Sequence, residues 1–375
     1  MIKILFRLDF IYHKAAIEPL VEEFRNDRRF EVALEVGRDP RKILGLFTVS
    51  QRDKMLRILD ADDIRVADEY EHFDVVVVGD TIKDAEKYGR TLLCLVNHGT
   101  GIKNVIYRRL KADRATKYML FVEGDYRIDM LHKTGALGNN EVYKIGLPKI
   151  DPYFNNSFSR EKILHGYGLN PDLKTVLFAP TYKPTCIQYV KDHIFTETAG
   201  YNLIIKLHHY SWMGHYASHR HHRIFEKRVP KFDHAVLIPA NDYNILPLMS
   251  VADTLISEAS STIFDFLALE KFGIIYNLDY DRLKHSDGEH ILSLDNREFL
   301  RDAFMHINSP DEIGAAIRQA LHPTKKMEQA AAEYRQYFFH ELDGKASSRF
   351  KKVVEQLLLE GNHLNEPHAN GTVRR

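Results

Sequence analysis

Short apolar runs recur along the chain, each closed by a polar or glycine-bearing turn and many followed by a segment of helical period. Ile2–Leu8 reads as a strand, Asp9–Lys14 as its polar turn, Ala15–Asn26 as an amphipathic helix and Phe30–Val36 as the next strand. Phe73–Gly79, FDVVVVG, is apolar without interruption, as expected of a parallel strand covered on both faces. Thr91–Val96 is similar and runs into Asn97-His98-Gly99-Thr100-Gly101. Tyr118–Val122 runs into Glu123-Gly124-Asp125 and a helix near Tyr126–Thr134, and Val142–Ile145 into Gly146-Leu147-Pro148. The basic stretch Arg41–Leu59 reads as helical. Strands alternating with helices predict a parallel α/β layer.

Asp151–Ser159, with Pro152, Asn155 and Asn156, interrupts the pattern and reads as a linker. The alternation then restarts. A helix at Arg160–Tyr167 precedes the strand Thr175–Ala179, which ends in Pro180-Thr181-Tyr182-Lys183. Leu203–Lys206 ends in Leu207-His208-His209, Ala235–Ile238 is a further strand, and Tyr243–Val251 a helix. Asp311–Leu321, Lys325–Phe339 and a last segment through Leu359 read as helices. Two successive α/β units predict the GT-B architecture: two Rossmann-like domains with parallel sheets facing a central cleft. The expected limits are residues 1–150 for the N-terminal domain, 160–340 for the C-terminal domain, 343–360 for a C-terminal helix and 361–375 for a disordered tail.

Ala252–Tyr280 is the stretch that most suggests a ligand. Thr254–Ser257 reads as a strand, Glu258–Thr262 as a polar turn, Ile263–Leu269 as a helix and Gly273–Asn277 as the next strand. The carboxyl end of such a strand faces the crevice of an open α/β sheet. A helix starting there offers unpaired N–H groups and a positive dipole end to a phosphate. Ser260, Ser261 and Thr262 would add hydroxyls, although a serine at that position also serves as a plain N-cap.

Composition narrows the classes. The 375 residues suffice for two cores, and 44% hydrophobic with 28% charged residues is ordinary for a soluble protein. Lysine plus arginine (52) equals aspartate plus glutamate (52), so no net field favours nucleic acid, and none is expected as a partner. Cys94 and Cys186 stand apart beside apolar strands, which argues against a disulfide framework or a zinc knuckle. Met1 runs into the first strand without a signal-peptide pattern, and no apolar run has spanning length, so a cytoplasmic location is expected. The chain lacks a dinucleotide G-x-G-x-x-G, a phosphate-loop signature and a G-x-S-x-G elbow, and no cofactor is expected.

Candidate chemistry lies in the turns. His98 follows a buried strand and precedes glycines, with Lys103 nearby, and could accept a proton from an attacking hydroxyl; a structural hydrogen bond at a strand end would leave the same pattern. Lys206 and His208 share one side of the second half's turn and could donate to a pyrophosphate. His215, His219, His221 and His222 sit among arginines without interleaved carboxylates, so a solvated basic face is expected there rather than a metal site.

Taken in order, these residues form a longer pattern. His98-Gly99-Thr100 with Lys103, Gly146-Leu147-Pro148, Ala179-Pro180-Thr181, Lys206 with His208, Ser260-Ser261 before Phe264-Asp265-Phe266, and Asp343-Gly344 with Ala346-Ser347 are collinear. The series resembles the CDP-glycerol glycerophosphotransferases of teichoic acid synthesis. That resemblance implies a GT-B enzyme without a metal, moving glycerol phosphate or a related alditol phosphate from a CDP-alditol to a hydroxyl of a lipid-linked saccharide or growing surface polymer, with CMP released. The N-terminal domain would then face the acceptor and the C-terminal domain the donor. His98 would be the general base; His208, Lys206, Ser260, Ser261 and Thr262 would hold donor phosphates; Gly99, Thr100, Thr181, Glu258 and Asp265 would line the cleft.

The chain departs from the family pattern at several points. Asn97 stands where an aromatic residue is usual, Gly101 where proline is, Glu258-Ala259 where aspartate–tyrosine is, and Tyr182-Lys183 where an aromatic residue and arginine follow the APT motif. The alternatives are a GT-B glycosyltransferase using a nucleotide sugar in capsule or surface-polysaccharide synthesis, and a silent binding module of an assembly complex. A lipid-linked acceptor would imply peripheral contact with an anionic membrane at its inner face, through Arg41–Arg57 or the aromatic-basic Phe195–Arg223 region.

Overall fold

The structure, a computed structural model, describes residues 1–9, 11–37, 40–43, 47–50, 52, 56, 65–67, 71–89, 91–97, 99–212, 220–284, 288–292 and 298–363. In the first half, β1 (Ile2–Leu8), α1 (Ile11–Arg25) and β2 (Phe30–Val36) are followed by β3 (Pro40–Ile43) and β4 (Phe47–Ser50). Then come β5 (Val75–Val78), β6 (Leu92–Val96), α2 (Val105–Ala112), β7 (Met119–Val122), α3 (Asp125–Lys133) and β8 (Glu141–Lys144). The main sheet has the order β2-β1-β5-β6-β7-β8, every pair parallel. Val75–Val78 is fully buried because alternate residues feed different cores: Val75 and Val77 join Ile4 and Phe6, whereas Val76 and Val78 join Leu5 and Leu95.

The second half begins with α4 (Asp151–Phe154) and α5 (Arg160–Gly166), then β9 (Thr175–Phe178), α6 (Ile187–Val190), α7 (His193–Thr196), β10 (Asn202–Ile205), α8 (His221–Arg228) and β11 (Ala235–Leu237). It continues with α9 (Leu246–Val251), β12 (Thr254–Ser257), α10 (Ser261–Ala268), β13 (Phe272–Tyr276), β14 (Met305–Ile307), α11 (Ile313–Leu321), α12 (Lys325–Phe338) and α13 (Ala346–His363). Its sheet, β11-β10-β9-β12-β13-β14, is also wholly parallel. Chain order reverses between β9 and β12, so the turns after those strands flank the crevice where ligands of open α/β sheets sit.

Two expectations change. Within Arg41–Leu59, Arg52 and Leu56 are helical as expected, but β3 and β4 ahead of them pair antiparallel, with Ile43 opposite Phe47. The β-branched and aromatic run Phe47-Thr48-Val49 favours a strand more than its basic neighbours favour a helix. Asp151–Ser159 is not a loose linker, because it opens with α4 and Asp151 is buried. The Asp151 carboxylate accepts the backbone N–H groups of Ala346 at 3.1 Å and Ser347 at 2.7 Å, capping the first turn of α13. Arg349 Nε donates to the Ile145 carbonyl at 2.7 Å, so the two crossings between the halves lie side by side. Helix α13 returns to the first half, where Phe350 packs against Phe121 and Phe24. Helix α2 and strand β14 were missed; the β-branched start of α2 hides its helical period, and β14 is only three residues long.

The faces of the two halves share one core, in which Ile102, Tyr126 and Leu147 meet Ile263, Phe264 and Phe338. No helix among the described residues is long and apolar enough to cross a membrane. In the Phe195–Arg223 region, Phe195, Leu203, Leu207 and Tyr210 are buried within the protein, and residues 213–219 lie outside the described set, as do 364–375 of the expected tail.

Candidate active site

Strands β9 and β12 are tied at their carboxyl ends, where Ser257 Oγ donates to the Ala179 carbonyl at 2.6 Å. Glu258, expected to line the cleft, instead lies behind its wall, 1% exposed. Its carboxylate accepts the Thr181 N–H at 2.7 Å, the Cys186 N–H at 2.6 Å and the Thr185 hydroxyl at 2.9 Å. Burial pushes the Glu258 carboxyl up while these donors pull it down. Because backbone amides converge there, the carboxylate shapes the 181–186 loop. Asp265 is likewise buried and pairs with Lys149 from the connection between the halves; it braces the junction rather than lining the cleft.

Ser260 is the N-cap of α10, its Oγ accepting from Thr262 N–H at 3.4 Å and from the Thr262 hydroxyl at 2.9 Å. Capping therefore occupies Ser260 and Thr262. Ser261 Oγ makes no hydrogen bond among the described residues and is partly exposed. The Thr181 hydroxyl donates to the Pro184 carbonyl, within its own loop.

Beyond β10, His208 Nδ1 accepts the backbone N–H of Tyr210 at 3.2 Å. A neutral imidazole that accepts at Nδ1 carries its proton on Nε2, which is then a donor. Its ring packs against Tyr182 at 4.6 Å and Tyr210 at 5.2 Å. Lys206 is 8% exposed, and its side chain makes no hydrogen bond or ion pair among the described residues. Burial lowers its pKa to about 8, against a smaller opposing pull from Asp242. If Lys206 grips a donor phosphate, the protonated form is the one that binds. Affinity for CDP-glycerol is then expected to weaken by about tenfold between pH 7 and 9, a fall that Lys206→Met abolishes in calorimetric titrations.

The first half contributes the turn after β6. His98, the expected base, lies outside the described residues, but its flanks are tied together. Asn97 Nδ2 donates to the Gly99 carbonyl at 3.0 Å, and Gly99 N–H reaches Asn97 Oδ1 at 3.4 Å. Arg127 Nη2 donates to the same carbonyl at 3.1 Å and pairs with Glu123 at 2.7 Å, while Nη1 donates to the Tyr107 hydroxyl at 3.0 Å; the Arg127, Glu123 and Tyr107 side chains are buried. Gly101, where the family has proline, adopts φ +107° against the Phe264 ring; proline's fixed negative φ does not allow that conformation. Thr100 is buried, and its hydroxyl has no hydrogen-bond partner among the described residues.

The two turns meet. A β-carbon placed on Gly99 would lie 3.6 Å from Cβ of Ser261. Gly99, Thr100 and Ser261 are therefore brought together at the seam, with Thr181, Lys206 and His208 on neighbouring strand ends of the second sheet. The histidine tract is described only in part. His221 is buried, His222 Nδ1 lies 2.9 Å from the Ser211 carbonyl with its ring stacked on Trp212, and His215 and His219 lie outside the described residues. Among the described residues, no three histidine, cysteine or acidic side chains are grouped to hold a metal. Cys94 and Cys186 are buried and unpaired.

Sequence reasoning missed Arg127, Glu123 and Lys149. The i, i+4 spacing of Glu123 and Arg127 signals an ion pair, but nothing local shows that Arg127 reaches across to Gly99.

This fold, with two parallel sheets and strand-end turns meeting at a cleft, is GT-B. A family model described as CDP-Glycerol:Poly(glycerophosphate) glycerophosphotransferase matches residues 94–356, and the chain belongs to that family, as its motif series suggested. The teichoic acid poly(ribitol-phosphate) polymerase of Bacillus spizizenii is 25% identical over 234 residues, 58% of this chain and 33% of the relative. The teichoic acid glycerol-phosphate primase of Bacillus subtilis is 25% identical over 168 residues, 43% of this chain and 39% of the relative. The chain thus aligns with well under half the length of either relative. Among solved structures, the wall teichoic acid polymerase TagF superposes with a TM-score of 0.68 at 14% identity, covering 97% of this chain and 90% of that one. The S. aureus MnaA–UDP co-structure superposes at 0.60 and 13% identity, covering 99% and 100%.

Proposed function

We propose that the protein transfers an alditol phosphate, glycerol phosphate first, from a CDP-alditol to a hydroxyl of a lipid-linked saccharide or growing surface polymer. The observation that carries this reading is the contact of the Gly99 turn with Ser261 at the point where strand order reverses. It sets a proton acceptor's turn against a helix N-terminus suited to phosphate. The family's CDP-glycerol donor supports the same donor class, and the teichoic acid polymerase and primase relatives support the polymer class.

In this reaction the acceptor oxygen attacks the phosphorus bearing the alditol. The bond from that phosphorus to the oxygen bridging to CMP breaks, the electron pair leaves with CMP, and the acceptor proton passes to His98. Ser261 and the first N–H groups of α10 hold the diphosphate, while Lys206 and the Nε2–H of His208 stabilise charge developing on the leaving CMP. On this reading the lipid-linked acceptor brings the protein to the inner membrane face as a peripheral contact.

The test is CMP release from CDP-glycerol and CDP-ribitol with a lipid-linked acceptor, assayed beside UDP-sugars. Turnover of a UDP-sugar with none of either CDP-alditol would replace this reading with that of a nucleotide-sugar transferase.

A further inference from the structure

Lys103 is the one residue of the His98-Gly99-Thr100-x-x-Lys103 motif that the roles above leave unused. Its backbone is held against the second half on both sides. Ile102 is buried in the shared core, Asn104 N–H donates to the Ile291 carbonyl at 3.3 Å, and Asn104 Nδ2 donates to the His290 carbonyl at 2.8 Å. The Lys103 side chain therefore leaves the turn at the seam between the halves.

At that seam it is partly buried and makes no hydrogen bond or ion pair among the described residues. The carboxylate that acts on it is Glu258, whose oxygens already accept three donors from the 181–186 loop. Burial lowers the Lys103 pKa, and the pull of Glu258 only partly offsets this. An ammonium withdrawn from water without a bonded counter-ion is unfavourable, and so is the buried, unpartnered Thr100 hydroxyl on the same turn. Two donors lacking partners, on a turn that touches Ser261, call for an anion between the halves.

We propose that Lys103, assisted by the Thr100 hydroxyl, binds the phosphoryl group being transferred and is the first half's contribution to the phosphate seat. This rests on the transferase reading above. Which phosphate is meant follows from the turn itself. The base on it must reach the hydroxyl that attacks the alditol-bearing phosphorus, so neighbouring donors face that phosphoryl group. Lys206 and His208, from the second half, face the phosphate that leaves with CMP. One cation on each side of the breaking bond holds the diphosphate in line and balances its two negative charges.

The test separates the two phosphates by comparing CMP, which lacks the transferred group, with CDP-glycerol, using the full chain. Lys103→Met is expected to leave the CMP Kd within twofold, weaken CDP-glycerol binding at least tenfold and lower kcat at least a hundredfold. Lys103→Arg is expected to recover much of the loss, and Thr100→Val to weaken CDP-glycerol alone by a smaller factor. Equal weakening of CMP and CDP-glycerol, or no change in either, overturns the proposal, since a merely structural lysine would show one or the other. If Lys103→Met does not fold, Lys103→Gln, which keeps the stem and a donor without the charge, takes its place under the same criteria. If the wild type accepts UDP-sugars and not CDP-alditols, the functional reading fails. Because both phosphates of a UDP-sugar leave with UDP, that result also overturns the transferred-phosphoryl role, whereas turnover of a CDP-alditol with unselective weakening by Lys103→Met overturns the Lys103 proposal alone.

Discussion

His98→Gln is expected to lower CMP release from CDP-glycerol by about 10²–10⁴-fold, the usual contribution of a positioned general base. CDP-glycerol affinity should remain within twofold, because the donor is held mainly from the second half. Glutamine keeps comparable bulk and hydrogen-bonding capacity but cannot take up a proton at neutral pH. The turn should keep its form, since Asn97 and Arg127 both bond to Gly99. Single-turnover kinetics with saturating donor, alongside calorimetric binding, would check both parts. Unchanged turnover would move the base elsewhere.

Arg127→Met is expected to destabilise the protein by about 3–5 kcal/mol, because it leaves Glu123 buried without its counter-charge. Both side chains are nearly inaccessible, at 4% and 6% exposure, so water cannot replace the lost partner. The same substitution removes one of the two side-chain donors to the Gly99 carbonyl, and turnover of the protein that remains folded should fall by about 10²-fold as the turn shifts from Ser261. The double variant Glu123→Gln/Arg127→Met separates the two effects. Removing both charges should return most of the stability in urea unfolding, while turnover stays low because the Arg127 bond to Gly99 is still missing. Recovery of both would make Arg127 purely a core ion pair.

Local pattern reveals some features of this chain far better than others. The unbroken apolar run before Gly79 reads as a strand covered on both faces, and Val75–Val78 feeds two cores from alternate residues. The polar turn ahead of Phe264-Asp265-Phe266 reads as a helix start, and Ser260 caps that helix. The same local reading fails for Pro40–Ser50, where basic residues suggest a helix but the chain forms a hairpin. It also treats the carboxylates of Glu258 and Asp265 as facing the cleft. Glu258 turns back to the 181–186 loop and Asp265 to Lys149, because those donors, distant in sequence, arrive beside them.

The amino-acid sequence alone determines the alternation of strands and helices, the two-unit plan, the family and the turns that carry its chemistry, because burial of both faces and helix capping are written at short range. Only the tertiary structure decides which of those turns become neighbours. Placing β9 beside β12 and closing the halves over a shared core sets Gly99 against Ser261, leaves the Lys103 and Thr100 side chains without hydrogen-bond partners among the described residues, and sends Arg127 to the turn that carries His98. Those relations depend on sheet order and on contacts far apart in the chain, which no local periodicity records.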